Sequence, residues 1–177
     1  MKKDSVIIFF HGYGSSVNTD KFVKIPYTNK KAIQLDYDKG LKVALEKAEN
    51  FVKEQLKEYE EIILVGHSMG GYLANQLSAK FNQLAVLINP SIFPQDNKKE
   101  ICDIDTTFKI SSAKVVVLVE NDDEVFDINK QKELLSKLPS NYIVKYFDGG
   151  HHRTNRISDI AYSIADVSNF YYPGLGV

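Results

Sequence analysis

Residues 62–71 read Ile62-Ile63-Leu64-Val65-Gly66-His67-Ser68-Met69-Gly70-Gly71. Four consecutive aliphatics are the pattern of a strand covered on both faces. Gly71–Phe81 then carries Leu73, Ala74, Leu77 and Phe81 at helical spacing. Between strand and helix stands Gly66-x-Ser68-x-Gly70. A serine there sits on a sharp strand-to-helix turn, with the glycines letting neighbouring backbone pack where a Cβ would clash. Its Oγ then projects clear of the sheet, and the following helix N-terminus favours developing negative charge.

Working outward, short apolar runs recur at Val6–Phe10, 32–35, Leu84–Ile88, 115–119 and Tyr142–Phe147. Amphipathic stretches separate them. Leu41, Ala44, Leu45, Ala48, Val52, Leu56 and Tyr59 share one helical face. Ile128, Leu134, Leu135 and Leu138 predict a shorter helix, with Asp127 as its N-cap and Pro139 as its stop. Ile157, Ile160, Ala161, Ile164 and Val167 predict the last one, ahead of Pro173. This rhythm predicts a doubly wound, mainly parallel α/β sheet of about six strands, with helices on both faces. The mixed composition of Tyr142–Phe147 places it at an edge. Residues 12–30 and 89–113 read as irregular, and the second is long enough to suggest a small lid.

The chain has 177 residues, which suits a single domain spanning 1–177. Its net charge of −1 gives no electrostatic footprint for nucleic acid. Cys102 is the one cysteine, so a disulfide within the chain is impossible and a cysteine-based zinc cluster is not expected. No stretch has the ~18–20 apolar residues of a membrane span. The five-residue run Val6–Phe10 falls short of the ~7–15 of a signal peptide core, so a cytoplasmic location is expected.

Ligand sites in such sheets lie at the carboxyl ends of the strands. A serine nucleophile needs a base and an orienting carboxylate, expected in the order serine, acid, histidine. The fifth strand is followed by Glu120-Asn121-Asp122-Asp123-Glu124, and the sixth by Asp148-Gly149-Gly150-His151-His152. Asp123, ahead of Val125-Phe126, fits the acid best, with Asp122 next; the other carboxylates read as a solvated loop. Either His151 or His152 can supply the base. Two backbone N–H groups must hold the oxyanion. Met69, after the serine, supplies one, and Tyr13, in the His11-Gly12-Tyr13-Gly14 turn after the first strand, supplies the other. His11 reads as a structural hydrogen-bonder in that turn. Adjacent histidines seldom share one metal ion, and no third ligand is evident, so no metal site is expected.

With these residues in this order, the chain resembles the α/β-hydrolase superfamily over nearly its whole length. Within it the chain is similar to the small, nearly cap-less bacterial esterases of the YqiA-like group. Their Gly-Gly-x-His ending implies His152 as the catalytic histidine, and their Asp-Glu-Val stretch implies Asp123 as the acid. The resemblance also implies a sheet lacking the first two strands of larger relatives. The expected activity is hydrolysis of small carboxylic esters or thioesters through an acyl-enzyme on Ser68, with no cofactor. Tyr13, Met69, Ile92, Phe93 and Phe126 are expected to line an apolar acyl pocket. A small-molecule acyl ester is the expected partner, with no nucleic acid and no membrane. An acyltransferase or amidase would use the same three residues, and a non-catalytic binding protein could share the fold. Oligomeric state is not legible, although Tyr171 and Tyr172 are candidates for a contact.

Overall fold

A computed structural model describes residues 2–168, so Tyr171, Tyr172 and Pro173 lie outside the described residues. Six strands form one all-parallel sheet in the order β2-β1-β3-β4-β5-β6. They are β1 (Lys3–Phe10), β2 (Lys30–Ala32), β3 (Tyr59–His67), β4 (Leu84–Ile88), β5 (Val115–Glu120) and β6 (Tyr142–Phe147). The helices are α1 (Asp20–Val23), α2 (Leu41–Glu58), α3 (Met69–Phe81), α4 (Pro94–Asn97), α5 (Ile128–Leu135) and α6 (Ile157–Val167).

The continuous apolar runs follow from burial on both faces. Val6, Ile8 and Phe10 of β1 pack with residues of α2, α3 and α5. Ile7 and Phe9 face the other way, onto α6 and Phe22 of α1. All five β1 residues are fully buried, each contributing about 1.5–3 kcal/mol of apolar transfer free energy. Lys130 N–H bonds to the Asp127 side chain, so α5 has the N-cap the sequence predicts.

Three segments differ from the sequence-based expectation. The second strand is Lys30–Ala32 rather than 32–35. It is an edge strand paired only with β1, and its two lysines are half-buried there. The apolar Leu35 marks burial beyond the strand instead of pairing. Tyr59 opens β3 instead of closing α2, because the aromatic is buried at the seam between them. The stretch 12–30 contains the four-residue α1, too short to show a helical period. Its end is tied down by Lys30, whose ammonium donates to the carbonyls of Phe22, Val23 and Ile25 at 2.8, 2.8 and 2.6 Å.

Backbone is pressed tightly together where β1 meets the start of α3. A Cβ on Gly70 would collide with the Phe10 carbonyl, and one on Gly66 with the Gly70 carbonyl. Gly70→Ala is therefore expected to cost about 3 kcal/mol or more, since backbone cannot retreat as a side chain can. Urea unfolding of the variant measures this. A loss below about 0.5 kcal/mol would show that strand and helix can separate without penalty.

Candidate active site

Ser68 joins β3 to α3 with φ 57° and ψ −121°, an unfavourable backbone for a residue with a Cβ. Hydrogen bonds hold it there. Its N–H donates to the Ile88 carbonyl at 3.0 Å, and its carbonyl accepts from Tyr72 and Ser91 at 3.1 and 2.9 Å. Met69 is the first residue of α3, so its N–H has no acceptor within the helix.

The structure brings Ser68, His152 and Asp123 together from three different loops. Ser68 Oγ lies 3.0 Å from His152 Nε2. His152 Nδ1 lies 2.8 Å from Asp123 Oδ2. The other Asp123 oxygen accepts from the N–H groups of Val125 and Phe126 at 2.8 and 3.2 Å. With Nδ1–H donating to the carboxylate, the Nε2 lone pair faces the serine hydroxyl. The Asp123 side chain is 1% exposed and that of His152 11%. The Phe126 ring stands edge-on to the imidazole, 4.8 Å between centroids.

The neighbouring carboxylates do more than face solvent: although Glu124 is exposed, Asp122, Glu124 and Glu120 each grip the histidine turn. Asp122 accepts from Gly149 N–H at 3.0 Å and His151 N–H at 3.3 Å, and its carboxylate lies 3.2 Å from the exposed His151 ring. Glu124 accepts from His152 N–H at 2.9 Å. Glu120 accepts from Gly150 N–H at 3.1 Å and pairs with Arg156 at 2.5 and 3.2 Å. Burial works to raise the Glu120 pKa, but the Arg156 guanidinium and the Gly150 N–H outweigh it and hold the carboxyl below its ordinary value. Acidic composition alone cannot show such pairing, because the partners are backbone N–H groups about 28 residues away.

Asn89 is a functional neighbour that sequence reasoning missed. It is buried, with φ 40°, directly after β4. Its amide donates to the carbonyls of His151 and His152, both at 3.1 Å, and its Oδ1 accepts from Glu120 N–H at 2.8 Å. One side chain thus couples the loops after β4, β5 and β6. Its place at a strand's carboxyl end was the available signal.

In the first turn, Leu35 N–H donates to His11 Nε2 at 2.9 Å. That nitrogen must be unprotonated, so Nδ1–H donates to the Gly12 carbonyl at 2.8 Å. Burial lowers the His11 pKa, in keeping with a neutral structural role. Tyr37 OH donates to the His11 carbonyl at 2.6 Å. Tyr13, beside this anchored pair, points its hydroxyl at Asp38, 2.6 Å away, and is among the residues that border the Ser68 cleft.

That cleft has a volume of about 320 Å³ and runs from Gly12–Ser15 past Ser68 and His152 to Lys21, Arg153 and Asn155. Of the five residues expected to line an apolar pocket, Tyr13 alone borders this cleft. Ile92 is buried in the core, as is Met69. Phe93 and Phe126 line a separate hollow of about 60 Å³ beside α5. Phe93 packs against the core, while Phe126 sets its ring edge against the His152 imidazole. Nor do residues 89–113 wall the cleft. Asn75 and Gln76 of α3 donate to the carbonyls of Lys109 and Thr107, at 2.7 and 2.8 Å, which fastens the segment down. Among the described residues, no group of three or more His, Cys, Asp or Glu could hold a metal ion. Nor is any helix among them long and apolar enough to cross a membrane.

A parallel sheet with a positive-φ serine after its third strand, and an acid and a histidine after its last two, is the α/β-hydrolase fold. The coordinates overlay a Xanthomonas campestris protein described as an α/β serine hydrolase without lid. That match has a TM-score of 0.68 at 15% identity and covers 99% of this chain and 86% of that one. Est1E from Butyrivibrio proteoclasticus, solved with ferulic acid bound, overlays at 0.73 and 13% identity, covering 94% and 90%. An esterase from Pyrococcus furiosus overlays at 0.71 and 15%, covering 94% and 80%. The chain belongs to UPF0227, an uncharacterised protein family, whose model matches residues 6–111. A UPF0227 protein of Shewanella woodyi is 28% identical over 149 residues, 75% of this chain and 83% of the relative.

Behind His152 stands His67, whose Nε2–H donates to the His152 carbonyl at 2.8 Å. Burial foremost, then the nearby Lys21 cation, push its pKa down to about 3. An unfolded histidine titrates near ~6.5, so below that pH the unfolded chain takes up a proton the native state refuses. Stability is therefore lost as pH falls from ~6.5 toward the folded value, by up to about 1.4 kcal/mol per pH unit from this group. His67→Gln keeps an N–H donor without titrating. Its stability relative to wild type should improve between pH 7.5 and 5 in urea titrations. An unchanged difference between the two proteins would show that His67 titrates normally.

Proposed function

We propose that this protein is a serine hydrolase acting on small carboxylic esters or thioesters through an acyl-enzyme on Ser68. The observation that carries the reading is the continuous chain from Ser68 Oγ to His152 to buried Asp123, with contacts of 3.0 and 2.8 Å. His152 takes the hydroxyl proton as Oγ attacks the acyl carbon. The carbonyl electron pair moves to oxygen, where the N–H groups of Tyr13 and Met69 stabilise it. Collapse expels the alcohol or thiol, which leaves with the proton from His152. Water, activated by the same imidazole, then attacks the acyl-enzyme and frees the acid and Ser68. Asp123 fixes the tautomer and stabilises the imidazolium. The structural neighbours include a serine hydrolase without lid and two esterases, which supports the same class of reaction. The open cleft suits short acyl groups.

Hydrolysis of p-nitrophenyl esters from two to twelve acyl carbons tests this. Turnover should favour the short esters, and Ser68→Ala should lose about 10³-fold or more in kcat. A variant that keeps most of the wild-type rate excludes Ser68 as nucleophile.

The two candidate acids separate in the same assay. Asp123→Asn should lower kcat by about 10³–10⁴-fold, because an amide no longer accepts from Nδ1–H. Asp122→Asn, which loses only contacts to the histidine turn, should cost less than about tenfold. The reverse ranking would assign the acid to Asp122.

A further inference from the structure

The cleft beside Ser68 carries a charge bias that ester hydrolysis does not require. Lys21 lines it yet is only 5% exposed. Its ammonium donates to the Arg153 carbonyl at 3.3 Å. An ammonium has three donors, and among the described residues this one has no second acceptor and no carboxylate partner. Asp20 on the same rim is engaged by Lys24 at 2.8 Å. Arg153, which also lines the cleft, has an exposed side chain with no ion pair among the described residues. Burial foremost, and then the Arg153 charge, lower the Lys21 pKa, with Asp20 opposing.

The arrangement is built rather than incidental. Phe22, next in the chain, packs on Phe9 with centroids 5.8 Å apart. Lys30 locks the carbonyls that follow it. Lys21 is thus held in the cleft wall with no carboxylate in ion-pair contact among the described residues. Desolvating a cation without an anion is costly, and a bound anion removes that cost.

We propose that Lys21 and Arg153 form an anion subsite of the Ser68 cleft, and that the substrates are esters or thioesters carrying a carboxylate or phosphate. The proposal rests on the hydrolase reading of Ser68 and narrows its substrate class. Lys21 acts as a buried point charge and Arg153 as a planar fork that can take two oxygens.

Three esters test it: neutral p-nitrophenyl butyrate, mono-p-nitrophenyl glutarate with its carboxylate on the acyl side, and 3-carboxy-4-nitrophenyl butyrate with its carboxylate on the leaving group. One of the anionic esters should exceed the butyrate by about tenfold or more in kcat/KM, and Arg153→Gln should collapse that ratio. Lys21→Met should do the same. Because Arg153 is exposed, its variant keeps the test valid if Lys21→Met fails to fold. Calorimetry of glutarate and of inorganic phosphate with Ser68→Ala protein reads the subsite without turnover and tells the two anions apart. Equal kcat/KM for all three esters overturns the proposal while leaving the hydrolase reading intact. If no ester turns over, the hydrolase reading fails, and calorimetry decides. Saturable anion binding lost in Arg153→Gln upholds the subsite, and no binding overturns it.

Discussion

The positive-φ turn at Ser68 is the constraint on which the rest of the structure depends. It requires α3 to start immediately after β3, with Gly70 pressed against the Phe10 and His11 carbonyls of β1. That contact works only if β1 and β3 are neighbours in register, as they are from Lys3↔Tyr59 to Phe10↔Gly66. The serine carbonyl in turn receives Ser91 N–H, which fixes where the chain leaves β4. One strained residue therefore sets the relative heights of three strand ends, and those ends carry the site.

The same economy holds on the histidine side. A loop of Asp148-Gly149-Gly150-His151 has little apolar content to pack, so burial cannot place it. Carboxylates and one amide do so. Asp122, Glu124, Glu120 and Asn89 each meet its backbone, and Arg156 neutralises the most buried of the acids. Hydrogen bonds to charged acceptors contribute about 1.5–3 kcal/mol, roughly twice a neutral one. Such bonds are also directional, which an imidazole that must meet both Asp123 and Ser68 demands.

The parallel-sheet class and the serine turn were legible because both are written in local pattern. Gly66-His67-Ser68-Met69-Gly70 states its own backbone geometry, and continuous aliphatic runs state burial on two faces. Pairing across the chain was not legible in that way. Nothing adjacent to Asn89 reveals that it will meet His151 and His152, more than 60 residues on. Apolar residues misled for a related reason. Ile92 and Phe93 stand at the carboxyl end of β4, where a pocket is expected, yet Ser91 N–H bonds to Ser68 and turns the following residues toward α5. Lys21 went unnoticed because a four-residue helix shows no period and a lysine is not ordinarily buried.

Among the described residues four non-glycine residues have positive φ, and they are not distributed evenly over the fold. Asn82 is the left-handed C-cap of α3, an ordinary helix stop. Ser68, Asn89 and His151 follow β3, β4 and β6; Ser68 and Asn89 bond to the His151-His152 turn, and His151 lies within it. Each such backbone costs on the order of 1–3 kcal/mol and persists only where its surroundings over-determine it. Here they do, since each of the three is held by hydrogen bonds from at least one other strand end. Strain confined to one end of an otherwise regular sheet is what positioning Ser68 and His152 3.0 Å apart entails, because neither loop would choose that geometry alone.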